Sequence, residues 1–517
     1  MEQVLLYGKI DCAFIVKEVS GNPFDYLVKA KITKPDGKTY LLNTFFNGNN
    51  EFIARVYADI VGKYTCEFLA KNSEVVEKSI EFEAIADEKL FGKPIKCEKN
   101  PKKIKYANGN PFYMLGFEVD WLFMLDDNCT DFPKAKTLID TIEKYGFNMV
   151  VTSLYAKDVT WHNEIAGIGT EYDFTDPNQT PFIRKGEDFD YDMLDVDYFK
   201  RVDKIMEYLM EKNIVSHFMI YVWNKLVKWP EIHSKADNRF FDYVVRRYQA
   251  YPNLIWDVSK EALLYGNVTP EDIRIKSIYL REQDVYNTLV TVHDAGFCSN
   301  NPDVIDIFST QNWLYDIQNQ MGNFINNNPD KIICNVEHGG YEKGIFEGFH
   351  GTYENAKMCF MRNMMCTFMG LYTVYYWQNA AWNIVIWDME SLAPEFRPKL
   401  EYYKNLRKYM EYMKFENVRL HPKFGISKMC LEDEEYLYYF KPTDMSHINL
   451  NMSEGKEIGN ICEWYNPIKD EYISFPLDKK DNVCGVRSPW VDDMSILKLK
   501  KIKKIKKDDD KIQQAIF

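Results

Sequence analysis

The chain has 517 residues, 46% of them hydrophobic, and a formal net charge of −13. That length asks for two to four domains rather than one core. The acidic balance argues against a nucleic-acid partner, because no basic stripe offsets phosphate repulsion. No run of about 20 apolar residues is available to span a bilayer. The N-terminus, Met1-Glu-Gln-Val-Leu-Leu-Tyr-Gly8, has no basic region followed by an apolar one, as a secretion signal would. No membrane partner and a cytoplasmic location are therefore expected. The 11 cysteines are odd in number and form no CxxC pair. They read as reduced, buried thiols rather than as a disulfide framework or a metal site. The basic run from Lys498 to Lys507 is followed at once by Asp508-Asp-Asp510 and reads as a solvated edge strand and tail.

In chain order, the first 88 residues read as all-β. Apolar and polar residues alternate from Phe24 to Thr33, and turn signals follow in Lys34-Pro-Asp-Gly37 and Asn47-Gly-Asn-Asn50. Further strands are expected over 51–57 and 63–68. Short strands at this spacing predict a β-sandwich. A linker near Phe91-Gly-Lys-Pro94 leads into a lysine-rich stretch.

From about residue 110 the rhythm becomes strand then helix. Strands are predicted over 113–116, 146–152, 214–222, 254–258, 288–292, 304–308, 332–334 and 371–376. Helices are predicted over 135–145, 197–212, 239–251 and 395–412 from their apolar spacing. Eight strands with helices between most of them favour a parallel barrel over an open sheet. After 412 the pattern returns to β. The expected fold is thus α/β, a (β/α)8 TIM barrel over 91–414. It is flanked by an N-terminal Ig-like β-sandwich over 1–90 and a C-terminal β-sandwich over 415–517.

Two glutamates carry the functional reading. Glu261 follows the apolar run Asn253-Leu-Ile-Trp-Asp-Val-Ser-Lys260, and Glu337 follows Lys331-Ile-Ile-Cys-Asn-Val336. Strand counting places them at the ends of the fourth and seventh strands. Active sites of such barrels lie at the C-terminal strand ends, and two carboxylates there suit a glycosidase. The other strand ends supply Asp120, Trp121, Trp161, His162, Trp223, His293, Gln311, Trp377 and Trp382 as candidate substrate-binding groups. Such carboxylates, amides and imidazoles hydrogen-bond sugar hydroxyls, and indoles stack on sugar faces. No metal-ligand spacing, P-loop or GxGxxG motif is present, so no metal and no cofactor are expected. Glu342 is a rival carboxylate, ranked as a loop residue able to contact substrate. Asp257 is expected to pack inside the barrel or to form a salt bridge.

Several stretches resemble the apiosidase-like glycosidases, a group of clan A retaining glycoside hydrolases. They are Asn108-Gly-Asn-Pro-Phe-Tyr-Met-Leu-Gly116, Tyr145-Gly-Phe-Asn148, the run from Tyr243 to Trp256, and Asn335-Val-Glu-His-Gly-Gly-Tyr-Glu342. The N-terminal segment is similar to the small β-sandwich that precedes such barrels, through Gly21-Asn-Pro-Phe24, the run from Phe45 to Arg55, and Gly62-Lys-Tyr-Thr65. The resemblance implies a carbohydrate substrate and a retaining double displacement, with Glu337 as nucleophile and Glu261 as acid/base. It leaves a homo-oligomer open. One departure stands out: Lys260 occupies the place where clan A enzymes usually carry asparagine. Either Lys260 points away, or another group reads the sugar 2-hydroxyl, or the substrate is acidic. A catalytically weak carbohydrate-binding barrel and a transglycosylase are the alternative functions.

Overall fold

The computed structural model describes the chain except residues 71–74, 127–128, 130, 158–170, 187, 314–316, 339–340, 347–352, 416–417, 421–427, 432–434, 443–444, 450–455, 477–482 and 504–517. Its centre is an eight-stranded parallel sheet. The strands are β1 (Leu115–Glu118), β2 (Met149–Ser153), β3 (Val215–Val222), β4 (Leu254–Lys260), β5 (Val290–His293), β6 (Ile307–Gln311), β7 (Ile332–Glu337) and β8 (Tyr372–Tyr375). Their order is β5-β4-β3-β2-β1-β8-β7-β6. The two outer strands meet and nearly close the barrel. Asp306 N donates to Val290 O at 2.8 Å. The Thr291 hydroxyl donates to Ile307 O at 2.7 Å and lies 2.8 Å from Ser309 Oγ.

Helices alternate with the strands: α1 (Pro133–Lys144), α2 (Val196–Glu211), α3 (Lys235–Tyr248), α4 (Pro270–Gln283), α5 (Ala295–Asn300), α6 (Ile317–Asn327), α7 (Ala356–Phe368) and α8 (Leu400–Tyr412). They explain why β3, β4 and β7 are buried at every position. A strand covered on both faces needs a continuous run of buried side chains, not an alternating one. Caps set where several helices begin. The Ser234 hydroxyl accepts from Asp237 N and starts α3 four residues before the predicted 239. Thr269 and Asp272 form a reciprocal capping box on α4. Inside the barrel, glycine at 116 suits β1, because a Cβ there would sit 2.9 Å from Cγ2 of the β-branched Val374.

The N-terminal segment forms a five-stranded and a three-stranded sheet. Both contribute to one apolar core, with Ile10, Phe52 and Val56 from the smaller and Ile32, Tyr64 and Phe82 from the larger. Beyond the barrel, a six-stranded antiparallel sheet runs from Val418 to Lys503, beside a two-stranded one. It is anchored where Tyr465 stacks on Tyr409 of α8, with ring centroids 4.6 Å apart. Among the described residues, no helix is long and apolar enough to cross a membrane.

A buried ionic cluster bolts the N-terminal sheets to the barrel. Arg55 reaches both oxygens of Asp203 on α2, at 3.1 and 2.9 Å, and Arg247 of α3 reaches the same oxygens at 3.1 and 2.7 Å. Arg55 also makes a forked contact with Asp11 at 2.7 and 2.8 Å. Both guanidinium groups are shut off from solvent. Asp203→Ala would leave two buried cations short of a partner, so a loss of about 3–5 kcal/mol is expected. The midpoint of chemical denaturation measures it, and a loss below about 1 kcal/mol would show the cluster to be as weak as a surface pair.

Candidate active site

Both glutamates arrive at the C-terminal mouth of the barrel, by different routes. Glu337 is the last residue of β7 and is almost fully buried, at 4% exposure. Glu261 directly follows β4 in a left-handed backbone conformation, φ 56°. That conformation costs an ordinary residue roughly 1–2 kcal/mol. It turns the chain sharply from strand into the short helix Ala262–Tyr265. Gly266, which ends that turn, lies under the Trp223 ring; a Cβ there would come within 2.9 Å of the indole.

One amide joins the pair. Gln311 Nε2, at the end of β6, donates to Glu261 Oε1 at 2.7 Å and to Glu337 Oε1 at 2.9 Å. The two accepting oxygens therefore lie no more than 5.6 Å apart, the sum of those two bonds. With the amide hydrogens in trigonal geometry the separation is roughly 4.9 Å. Glu337 also accepts from Trp313 Nε1 on its second oxygen at 3.2 Å. Its first oxygen lies 2.9 Å from Lys260 Nζ and 3.6 Å from His293 Nε2. Burial alone would raise the Glu337 carboxyl, but Lys260 and His293 outweigh it and hold the group well below the usual carboxylate range.

Lys260 does not point away. Residues 257 and 260 would take opposite faces in a regular strand, but the β4–β5 register shifts between them, and both turn into the barrel. Lys260 Nζ lies 2.8 Å from Glu118 Oε1 and 3.6 Å from Asp120 Oδ2. Burial raises the Glu118 carboxyl, with Lys260 opposing and Glu337 and Asp120 reinforcing. Asp120 meets a second cation, Lys225, at 3.0 Å. Lys225 sits 4.1 Å from the centroid of the Trp382 ring and 5.1 Å from that of Trp121. Burial lowers the Lys225 ammonium, opposed by Asp120.

Beneath Glu337 a second chain of groups descends into the barrel. Asp257 is hydrogen-bonded to His217 at 2.7 Å and lies 3.5 Å from His293 Nδ1. Although burial would raise it, the two imidazoles hold Asp257 down at about 2. Burial likewise opposes charge on His293, but Asp257 and Glu337 bring it up to about 9. His217, Asp257 and His293 are also the one group of potential metal-ligating atoms among the described residues, all within 4.8 Å of one another. Sequence spacing does not show this group because three different strands supply it. The short His217–Asp257 contact suits a hydrogen-bonded relay.

The remaining candidates divide. His293 and Gln311 join the carboxylates directly. Trp223 is half-buried beside Glu261, and Trp382 is buried over Lys225. Asp120, Trp121 and Trp377 are wholly shut off from solvent. Trp161 and His162 lie outside the described residues. Glu342 is no rival: its two oxygens accept from Lys399 N and the Tyr375 hydroxyl, each at 2.9 Å, so it caps the start of α8. Burial pushes its carboxyl up to about 7. Three residues of the site were not singled out from sequence, namely Glu118, Lys225 and Trp313. Glu118 and Trp313 stand at strand ends already identified, and Lys225 lies two positions past Trp223.

A (β/α)8 barrel with two amide-bridged carboxylates at its C-terminal mouth is the arrangement that a hydrolase acting on glycosides needs. Residues 98–392, more than half of the chain, match the family described as apiosidase-like, catalytic domain. The chain belongs to that family of glycoside hydrolases. Among solved structures it is similar to a "putative glycoside hydrolase" from Bacteroides vulgatus ATCC 8482. The TM-score is 0.77 at 16% identity, covering 97% of this chain and 100% of the other, so the likeness is one of fold. A GH27 β-L-arabinopyranosidase from Geobacillus stearothermophilus aligns at 11% identity with a TM-score of 0.44, over 75% of this chain and 96% of its own. No curated protein matches the chain.

Proposed function

We propose that the protein is a retaining glycosidase working by double displacement on a carbohydrate glycoside. The observation that carries this reading is the Gln311 bridge, which keeps the Glu261 and Glu337 oxygens within 5.6 Å. Retaining enzymes hold their carboxyl groups about 5–5.5 Å apart, whereas inverting ones need roughly 6.5–9.5 Å to admit a water. Glu337, with its charge held by Lys260 and His293, attacks the anomeric carbon. Glu261, less buried and free of a lysine partner among the described contacts, gives its proton to the leaving oxygen and then draws one from water. Gln311 keeps the two groups in register through both steps. The N-terminal and C-terminal sheets are read as β-sandwich modules over 1–90 and 415–517, flanking a catalytic barrel over 91–414.

The test is stereochemical. With an aryl glycoside that the protein cleaves, proton NMR of the first-formed product should show the anomeric configuration of the substrate. A 2-deoxy-2-fluoro glycoside should lose its aglycone and leave its fluoroglycosyl group on the peptide containing Glu337. Initial formation of the opposite anomer would rule out double displacement.

A further inference from the structure

Lys260 is the last residue of β4, and its ammonium has three donors and no acceptor. Its surroundings are all carboxylate: Glu118 Oε1 at 2.8 Å, Glu337 Oε1 at 2.9 Å and Asp120 Oδ2 at 3.6 Å. Lys260 and Glu118 are 1% and 0% exposed, so this pairing is made inside the protein and not at a solvated rim. The other charged groups nearby are Lys225 on the far side of Asp120, Glu261 on the next residue, and His293 on the far side of Glu337. A buried charge that loses its partner is strongly destabilising. The ammonium is therefore already committed before any substrate arrives.

We infer, building on the retaining reading above, that Lys260 is a positioning residue, the fixed counter-ion of Glu337 anchored from below by Glu118, and not a receptor for a substrate carboxylate. The anchor matters during turnover. The glycosidic C–O bond breaks, the proton of Glu261 passes to the leaving oxygen, and a C–O bond forms from the anomeric carbon to Glu337. Glu337 then no longer carries a charge. Lys260 still has Glu118 and Asp120 as acceptors, so the ammonium is never stranded. A uronic acid placed against Lys260 would have to displace Glu118 or Glu337 and would face Asp120 and Glu261 as well. Like charges in such juxtaposition cost several kcal/mol. Lys260 accordingly offers no place to a charged glycone.

The experiment compares kcat/KM against pH for the full-length protein and two variants, on a neutral aryl glycoside. Lys260→Gln keeps hydrogen-bond donors and removes the charge; its acid limb should rise by about one pH unit or more, because Glu337 loses its nearest cation. Lys260→Arg keeps the charge and should leave the limb within about half a unit of the parent. An unmoved limb in folded Lys260→Gln overturns the inference. Should that variant not fold, the unmodified protein decides. The neutral aryl glycoside should exceed its matched aryl uronide in kcat/KM by about tenfold or more, and equal or faster cleavage of the uronide would make Lys260 a receptor. Failure of the retaining reading is seen separately, as an inverted product or no labelling of Glu337 in the unmodified protein.

Discussion

Glu337→Ala is expected to lower turnover of an aryl glycoside by at least about 10⁴-fold, which is roughly 5 kcal/mol of lost transition-state stabilisation. No other described carboxylate is placed to substitute. Glu118 is held below by Lys260, Asp257 is engaged by His217, and Glu342 caps α8 on the outside of the barrel. The substitution also strips Lys260 and His293 of a shared partner. Glu337→Gln therefore belongs beside it, as a variant that keeps the shape and the contact with Gln311. If both variants are folded and inactive, and azide or formate restores cleavage of the alanine variant with inverted configuration, the loss is that of a nucleophile. Activity within about tenfold of the parent in either variant would remove Glu337 from the mechanism.

Glu261→Ala should behave differently, and the difference is diagnostic. A general acid contributes about 10²–10⁴-fold. The loss should fall in that range for glycosides with poor leaving groups, and be much smaller in the first step for a dinitrophenyl glycoside, which needs no proton. The second step still lacks its base, so the covalent intermediate should accumulate and a burst of dinitrophenol should appear. Azide, which needs no deprotonation, should then release the intermediate as a glycosyl azide of retained configuration. The basic limb of the pH profile should disappear as well. A loss that is the same for every leaving group would leave Glu261 with a binding role only.

The acid limb carries a sign that follows from the same geometry. The Glu337 carboxyl is held well below its ordinary value by Lys260 and His293. The ionised Glu337 carboxylate should therefore persist below the usual carboxylate range, and activity should fall only as pH drops beneath it.

Much of this was legible before any fold was known. The apolar runs around 215–222, 254–260 and 332–337 announce buried parallel strands, because helices cover both faces and no alternation is needed. Their spacing assigns Glu261 and Glu337 to the fourth and seventh strands. Boundaries slipped where closure of the barrel, rather than local pattern, sets the pairing. β1 runs over Leu115–Glu118 instead of 113–116, and β6 over Ile307–Gln311 instead of 304–308. The first shift is the one that places Glu118 in the strand itself.

The amino-acid sequence by itself determined the barrel, the strand ends at which Glu261 and Glu337 stand and the order of the elements that carry them. Hydrophobic period and chain spacing are local properties, and they suffice for that. Which way Lys260 turns was decided only by the tertiary structure. A one-residue register shift in β4 sends it inward, and no periodicity in the chain announces it. The same holds for the Gln311 bridge, the Lys225–Asp120 pair and the Asp257 relay. Each is built from side chains of different strands that meet only when the sheet closes, and each is held because a buried charge without a partner is too unfavourable to persist.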